Sequence, residues 1–210
     1  MSFAAMKHLI VALVLTAAGQ PAEASDSVIL VLGDSLSAGR GIAVEDSWVS
    51  LLQQKLDSQG YGYRVVNASV SGDTTGGGLA RLPRALALHQ PEILIIELGG
   101  NDGLRGTPIE EIRLNLSRAI ETGLEAGARV VLAGMQMPPN YGEQYAGGFR
   151  NLYPDLADDY HLPFIPFLLD GVALDPALMQ NDGFHPNAAG QRGILANVWA
   201  ALETVIASSP

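Results

Sequence analysis

The chain of 210 residues is 48% hydrophobic and 16% charged, which suits one compact domain with a sizeable core. It has no cysteine, which excludes a disulfide framework and a lipid-modified cysteine. A formal net charge of −10 argues against nucleic acid or an anionic lipid surface as a docking partner.

In chain order, Lys7-His8 precede an uncharged run from Leu9 to Gly19, and Ala22-Glu23-Ala24 supplies a small-x-small pattern before Ser25. Basic, apolar, then small is the order of a secretory signal, here cut after Ala24. The apolar run is shorter than the ~20 residues that a membrane-spanning helix needs, so no stable membrane anchor is expected. Residues 25–210 then form a single exported domain, periplasmic or secreted. Losing Lys7 together with Glu23 leaves the net charge unchanged.

The first strand is expected over Val28–Leu32, and Gly33-Asp34-Ser35-Leu36-Ser37 follows as a tight turn with a hydroxyl at its tip. Trp48, Leu51, Leu52 and Leu56 keep helical spacing, and Gly60 is a suitable stop. A second strand, Tyr63–Asn67, leads to a turn holding Gly72. A helical segment then ends at His89, before Gln90-Pro91. Ile93–Leu98 is the third strand, directly followed by Gly99-Gly100-Asn101-Asp102.

Thr107-Pro108-Ile109-Glu110 reads as a cap, a first-turn proline and a capping-box glutamate. Ile112, Leu116, Ile120 and Leu124 recur every four residues behind it, up to Gly127. Val130–Met135 and Phe164–Phe167 are the remaining strands. A last helix, from near Asn187, carries Ile194, Val198, Leu202 and Val205 on one side.

Near-continuous apolar strands suit a parallel sheet buried on both faces. Their alternation with helices predicts a doubly wound α/β fold with right-handed crossovers. Ligands in such folds bind beyond the carboxyl ends of the strands. The polar and glycine-rich pieces around Ser35, Gly72, Asn101 and Asp182 all fall there.

Ser35 is the candidate nucleophile; alternatively it caps a helix. Among four histidines, His8 leaves with the signal, while His89 and His161 read as surface positions. His185 remains as general base and then acid, with Asp182 three residues away to fix its tautomer. Three donors are available to a tetrahedral oxyanion: the backbone N–H groups of Ser35 and Gly72, and the Asn101 side-chain amide. No Gly-x-Ser-x-Gly elbow is present, because position 37 is serine. Four histidines, one of them in the expected signal, are too few for a binuclear metal centre.

Gly-Asp-Ser-Leu-Ser, Ser71-Gly72-Asp73-Thr74, Gly99-Gly100-Asn101-Asp102 and Asp182-Gly183-Phe184-His185-Pro186 resemble, in order, the blocks of the SGNH (GDSL) hydrolases. Asn67–Thr74, Leu98–Gly106 and Pro138–Gly142 look like the periplasmic thioesterase I/lysophospholipase/arylesterase branch. The resemblance implies a three-layer, flavodoxin-like α/β fold around a five-stranded parallel sheet. It implies a triad of Ser35, Asp182 and His185, an oxyanion hole of Ser35, Gly72 and Asn101, and no metal or cofactor. By family similarity, Gly103–Pro108 is a mobile flap with a glycine near each end.

Asp34, Leu104, Arg105, Met137, Pro138 and Phe184 are the candidate substrate contacts. The expected activity is hydrolysis of aryl esters, short to medium acyl esters, acyl-CoA thioesters and lysophospholipids by a monomer. One alternative uses the same triad, an O-acetylesterase of carbohydrate or cell wall; another is a non-catalytic phosphate-binding module, suggested by glycine-rich turns that meet helix starts.

Overall fold

A computed structural model of the chain describes residues 27–207; the expected signal segment, 1–24, lies outside the described residues. Five strands form one sheet: β1 (Ser27–Gly33), β2 (Tyr63–Asn67), β3 (Ile93–Glu97), β4 (Arg129–Ala133) and β5 (Phe164–Ile165). Every pairing is parallel, in the order β2-β1-β3-β4-β5. This is the flavodoxin-like arrangement.

Among the described residues there are six α-helices: α1 (Trp48–Gln59), α2 (Thr75–His89), α3 (Gly100–Arg105), α4 (Ile109–Glu125), α5 (Glu143–Asp159) and α6 (Gln191–Ala207). Helix α1 packs beside α6, whereas α4 packs beside both α2 and α5. Two helical layers therefore sandwich the sheet. The middle strands β1, β3 and β4 are buried along nearly their whole length, as their unbroken apolar runs require. At the sheet edge, β2 exposes Arg64 and Asn67.

Three local expectations need correction. The fifth strand stops at Ile165 rather than Phe167, because Pro166 has no N–H to continue a ladder. Helix α4 has Pro108 as its N-cap with no side-chain cap, so the capping box does not form. Thr107 lies one residue too early for that role, and its N–H donates to Asp102 O at 3.0 Å in the exit from α3.

The third correction concerns the segment after Asn101. Residues 100–105 are a short helix, and Gly103 is buried within it. A side chain at Gly103 would collide with Met137 Sδ and crowd the Phe149 ring. That glycine allows close packing of the short helix against Met137 and Phe149.

Chain order reverses between β1 and β3, since one crossover runs from β1 to β2 and the next returns across the sheet to β3. A crevice opens at such a switch point, beyond the carboxyl ends of the strands. Ser35 and Asn101 follow the two strands that flank it.

Candidate active site

Beyond β1 the chain turns sharply: Ala38 N–H donates to Asp34 O at 2.9 Å and Arg40 N–H to Ser35 O at 3.2 Å. Within this turn Leu36 N–H donates to Asp34 Oδ1 at 3.0 Å. No helix starts at Ser35, so it caps none, and its Oγ lies 2.8 Å from His185 Nε2.

The histidine comes from a tight loop. Gln180 N–H donates to His185 O at 2.7 Å, and Gly183 N–H to Gln180 O at 3.0 Å. The Gln180 side chain donates to Arg40 O at 2.8 Å and Pro186 O at 2.9 Å, tying this loop to the turn that carries Ser35. Gln180 was not singled out by the sequence analysis.

Asp182 Oδ2 lies 2.7 Å from His185 Nδ1. Its other oxygen accepts from the N–H groups of His185 and Phe184, each at 3.0 Å. These backbone bonds, that of His185 foremost, lower the Asp182 pKa to about 2. An ionised carboxylate at Nδ1 holds the ring proton there and leaves the Nε2 lone pair facing Ser35 Oγ. Ser35, His185 and Asp182 thus form one hydrogen-bonded chain.

The three candidate oxyanion donors differ in state. Neither Ser35 N–H nor Gly72 N–H has a hydrogen-bond acceptor among the described residues. Gly72 adopts φ +82°, a conformation open to glycine. The Asn101 amide is engaged at both hydrogens, donating to Asp34 Oδ2 at 2.8 Å and Asp73 O at 2.9 Å. Neighbouring Asp102, buried, accepts from Thr75 N–H at 2.9 Å and Thr75 Oγ1 at 2.6 Å, which fastens α3 to the start of α2.

Behind the serine lie two buried carboxyl groups. Burial raises the Asp34 pKa to about 6, against the opposing bond from Leu36 N–H. Glu97, at the end of β3, is fully buried, and desolvation and then the Asp34 charge push it well above the usual carboxylate range. Glu97 Oε2 accepts from Ser37 Oγ at 2.5 Å and from Asp34 N–H at 3.3 Å. Sequence reasoning passed over Glu97, although a lone acid inside the apolar run Ile93–Leu98 was a usable signal.

The site opens into a cavity of about 580 Å³. Asp34, Leu104, Met137, Pro138 and Phe184 line it, as do Met135, Phe167 and Leu169. Arg105 does not; its guanidinium donates to Gly72 O at 3.0 Å. Of the other histidines, His89 ends α2 and His161 is exposed at φ +52°.

Residues 31–192 match the model of the GDSL-like lipase/acylhydrolase family. The chain belongs to this family, the SGNH hydrolases. An arylesterase of Vibrio mimicus is 47% identical over 177 residues, covering 84% of this chain and 86% of the relative. The thioesterase 1/protease 1/lysophospholipase L1 of Escherichia coli K12 is 44% identical over 168 residues, covering 80% and 79%. The crystal structure of TesA superposes with a TM-score of 0.83 at 46% identity, covering 85% of this chain and 99% of that one.

In this SGNH hydrolase the matched stretch runs from within β1 to the start of α6. It includes every residue placed at the site. The four family blocks follow β1, β2, β3 and β5, and the sheet order makes the first three neighbours.

Proposed function

We propose that this SGNH hydrolase cleaves carboxylic esters and thioesters through an acyl-enzyme formed on Ser35. The observation that carries this reading is the hydrogen-bonded chain from Ser35 through His185 to Asp182, set beside a cavity with methionine, leucine and phenylalanine walls.

Ser35 Oγ attacks the acyl carbonyl as its proton passes to His185 Nε2. Asp182 stabilises the imidazolium and stays ionised throughout. The oxyanion is received by Ser35 N–H, Gly72 N–H and one Asn101 amide hydrogen, which exchanges its Asp34 contact for the new acceptor. The tetrahedral adduct collapses, and the leaving alkoxide or thiolate takes the proton from His185. Water then repeats the cycle on the acyl-enzyme and releases the acid.

The proposed substrates are aryl esters, short to medium acyl esters, acyl-CoA thioesters and lysophospholipids. An apolar cavity suits fatty acyl and aryl groups better than a hydrated glycan. Residues 1–24 act as a cleaved signal, so the working enzyme is a periplasmic or secreted monomer of residues 25–210. Among the described residues no helix is long and apolar enough to cross a membrane.

The deciding experiment combines covalent trapping with a substitution. A reactive alkylphosphonate should add once per chain, at Ser35, and stop turnover. Ser35→Ala should fold, resist labelling and lack esterase activity. Activity retained in that variant defeats the assignment. Matched oxygen esters and thioesters of increasing acyl length then define the preferred substrate.

A further inference from the structure

One cation outside the proposed catalytic residues is bound to the segments that carry the Ser35 and Gly72 donors, and through Asp73 it is linked to Asn101. Arg81, on α2, uses each arm of its guanidinium for a different partner. Nε donates to Asp73 Oδ2 at 2.7 Å, Nη1 to Ala68 O, and Nη2 to Gly33 O at 3.1 Å. Arg81 and Asp73 are partly buried, with side chains 27% and 13% exposed.

These partners are spread along the chain but converge on one function. Gly33 stands two residues before Ser35, and its carbonyl also accepts from Val70 N–H at 3.0 Å. Ala68 opens the loop after β2, and its N–H donates to Val31 O at 2.9 Å. Asp73 follows Gly72 directly, and its carbonyl receives the Asn101 amide. Gly33, Ala68 and Asp73 therefore fix the bases of the Ser35, Gly72 and Asn101 donors relative to one another.

We infer that Arg81 is a positioning residue for the proposed oxyanion hole, its planar fork setting the spacing between the nucleophile turn, the Gly72 loop and Asn101. The inference rests on the esterase reading above. A planar guanidinium presents donors in a rigid geometry, whereas a lysine offers one mobile ammonium. Donors aimed at a charge that develops only in the transition state are sensitive to small displacements, and misplacement by ~1 Å can cost about 10²-fold in rate. Ground-state binding in the apolar cavity does not depend on that aim.

The test compares the wild type with Arg81→Ala and Arg81→Lys on an aryl ester. It measures kcat, KM, inhibition by an alkylboronic acid and inhibition by the product carboxylic acid. We expect kcat to fall about 10- to 100-fold in both variants with KM little changed. Boronate affinity should fall with kcat while product affinity holds. Methylguanidinium should restore part of the activity of Arg81→Ala, whose cavity is open, and none of that of Arg81→Lys.

Wild-type kcat in either folded variant overturns the inference, as does equal weakening of boronate and product. Should Arg81→Ala not fold, Arg81→Lys decides alone through the boronate-to-product ratio. Failure of both to fold assigns Arg81 to stability and overturns the positioning role. The esterase reading fails separately, in the same assay, if the wild type is inactive or Ser35→Ala is active.

Discussion

The Asn101 side-chain amide donates to Asp34 Oδ2 at 2.8 Å, so the residue before the proposed nucleophile holds the side chain proposed to receive the oxyanion. The second amide hydrogen reaches Asp73 O at 2.9 Å. This anchoring orients the amide before substrate arrives. Asn101→Ala should lower kcat by about 10²–10³, as loss of one oxyanion donor does elsewhere, with KM changed much less. Steady-state kinetics check this, and an unchanged kcat removes Asn101 from the site.

Asp182 faces His185 with one oxygen and two backbone N–H groups with the other. Asp182→Asn can keep its oxygen as acceptor for both backbone N–H groups but presents an amide where the ring needs a carboxylate. Turnover should fall by roughly 10²–10⁴ while Ser35 remains reactive to phosphonate, only more slowly. Turnover within a few-fold of wild type would show that His185 is oriented by other contacts.

Asp34 gives a prediction for stability against pH. Its pKa is raised from 3.8 to about 6, so across that interval the folded chain retains a proton that the unfolded chain has released. The stabilisation is complete below pH 3.8 and is lost as pH rises through about 6. Asp34→Asn has no such proton and should flatten this decline in urea unfolding series between pH 4 and pH 7. An identical slope in wild type and variant would mean that Asp34 titrates alike in both states.

Glu97 separates charge from hydrogen bonding. Burial favours its neutral acid, for which glutamine is a close mimic that can still accept from Ser37 Oγ and Asp34 N–H. Glu97→Gln should therefore preserve folding and most of the activity. Glu97→Ala leaves a void and two donors without their acceptor, a loss of about 2–4 kcal/mol. Thermal melts and ester assays on both variants distinguish the two; a large loss in the glutamine variant would show that the acidic group itself matters.

Most of the sheet was readable because its strands are apolar on both faces; β3, β4 and β5 end one or two residues earlier than their apolar runs suggest, β5 at Pro166. The site was readable where chemistry is local, as in Asp182 and His185, three residues apart. Ser35 stood out by its place at a strand end. What stayed hidden depends on partners distant in sequence. Arg81 looks like any helical arginine until Gly33 and Asp73 are brought to it, and Gln180 gains its meaning only beside Arg40. The short helix after Gly99 was missed because its glycines resemble loop punctuation, whereas Gly103 in fact packs against Met137 and Phe149.

Ser35 and His185 are 150 positions apart, so the hydroxyl leaves the ribosome long before its imidazole partner is translated. On the mechanism proposed here, a nascent or truncated chain ending before His185 is inert toward esters, however well its five strands have assembled. Hydrolytic competence then arrives late in synthesis, when the loop ahead of α6 can be held against the turn at Ser35. On the export proposed above, the polypeptide would be harmless to cytoplasmic acyl esters for as long as it is kept unfolded.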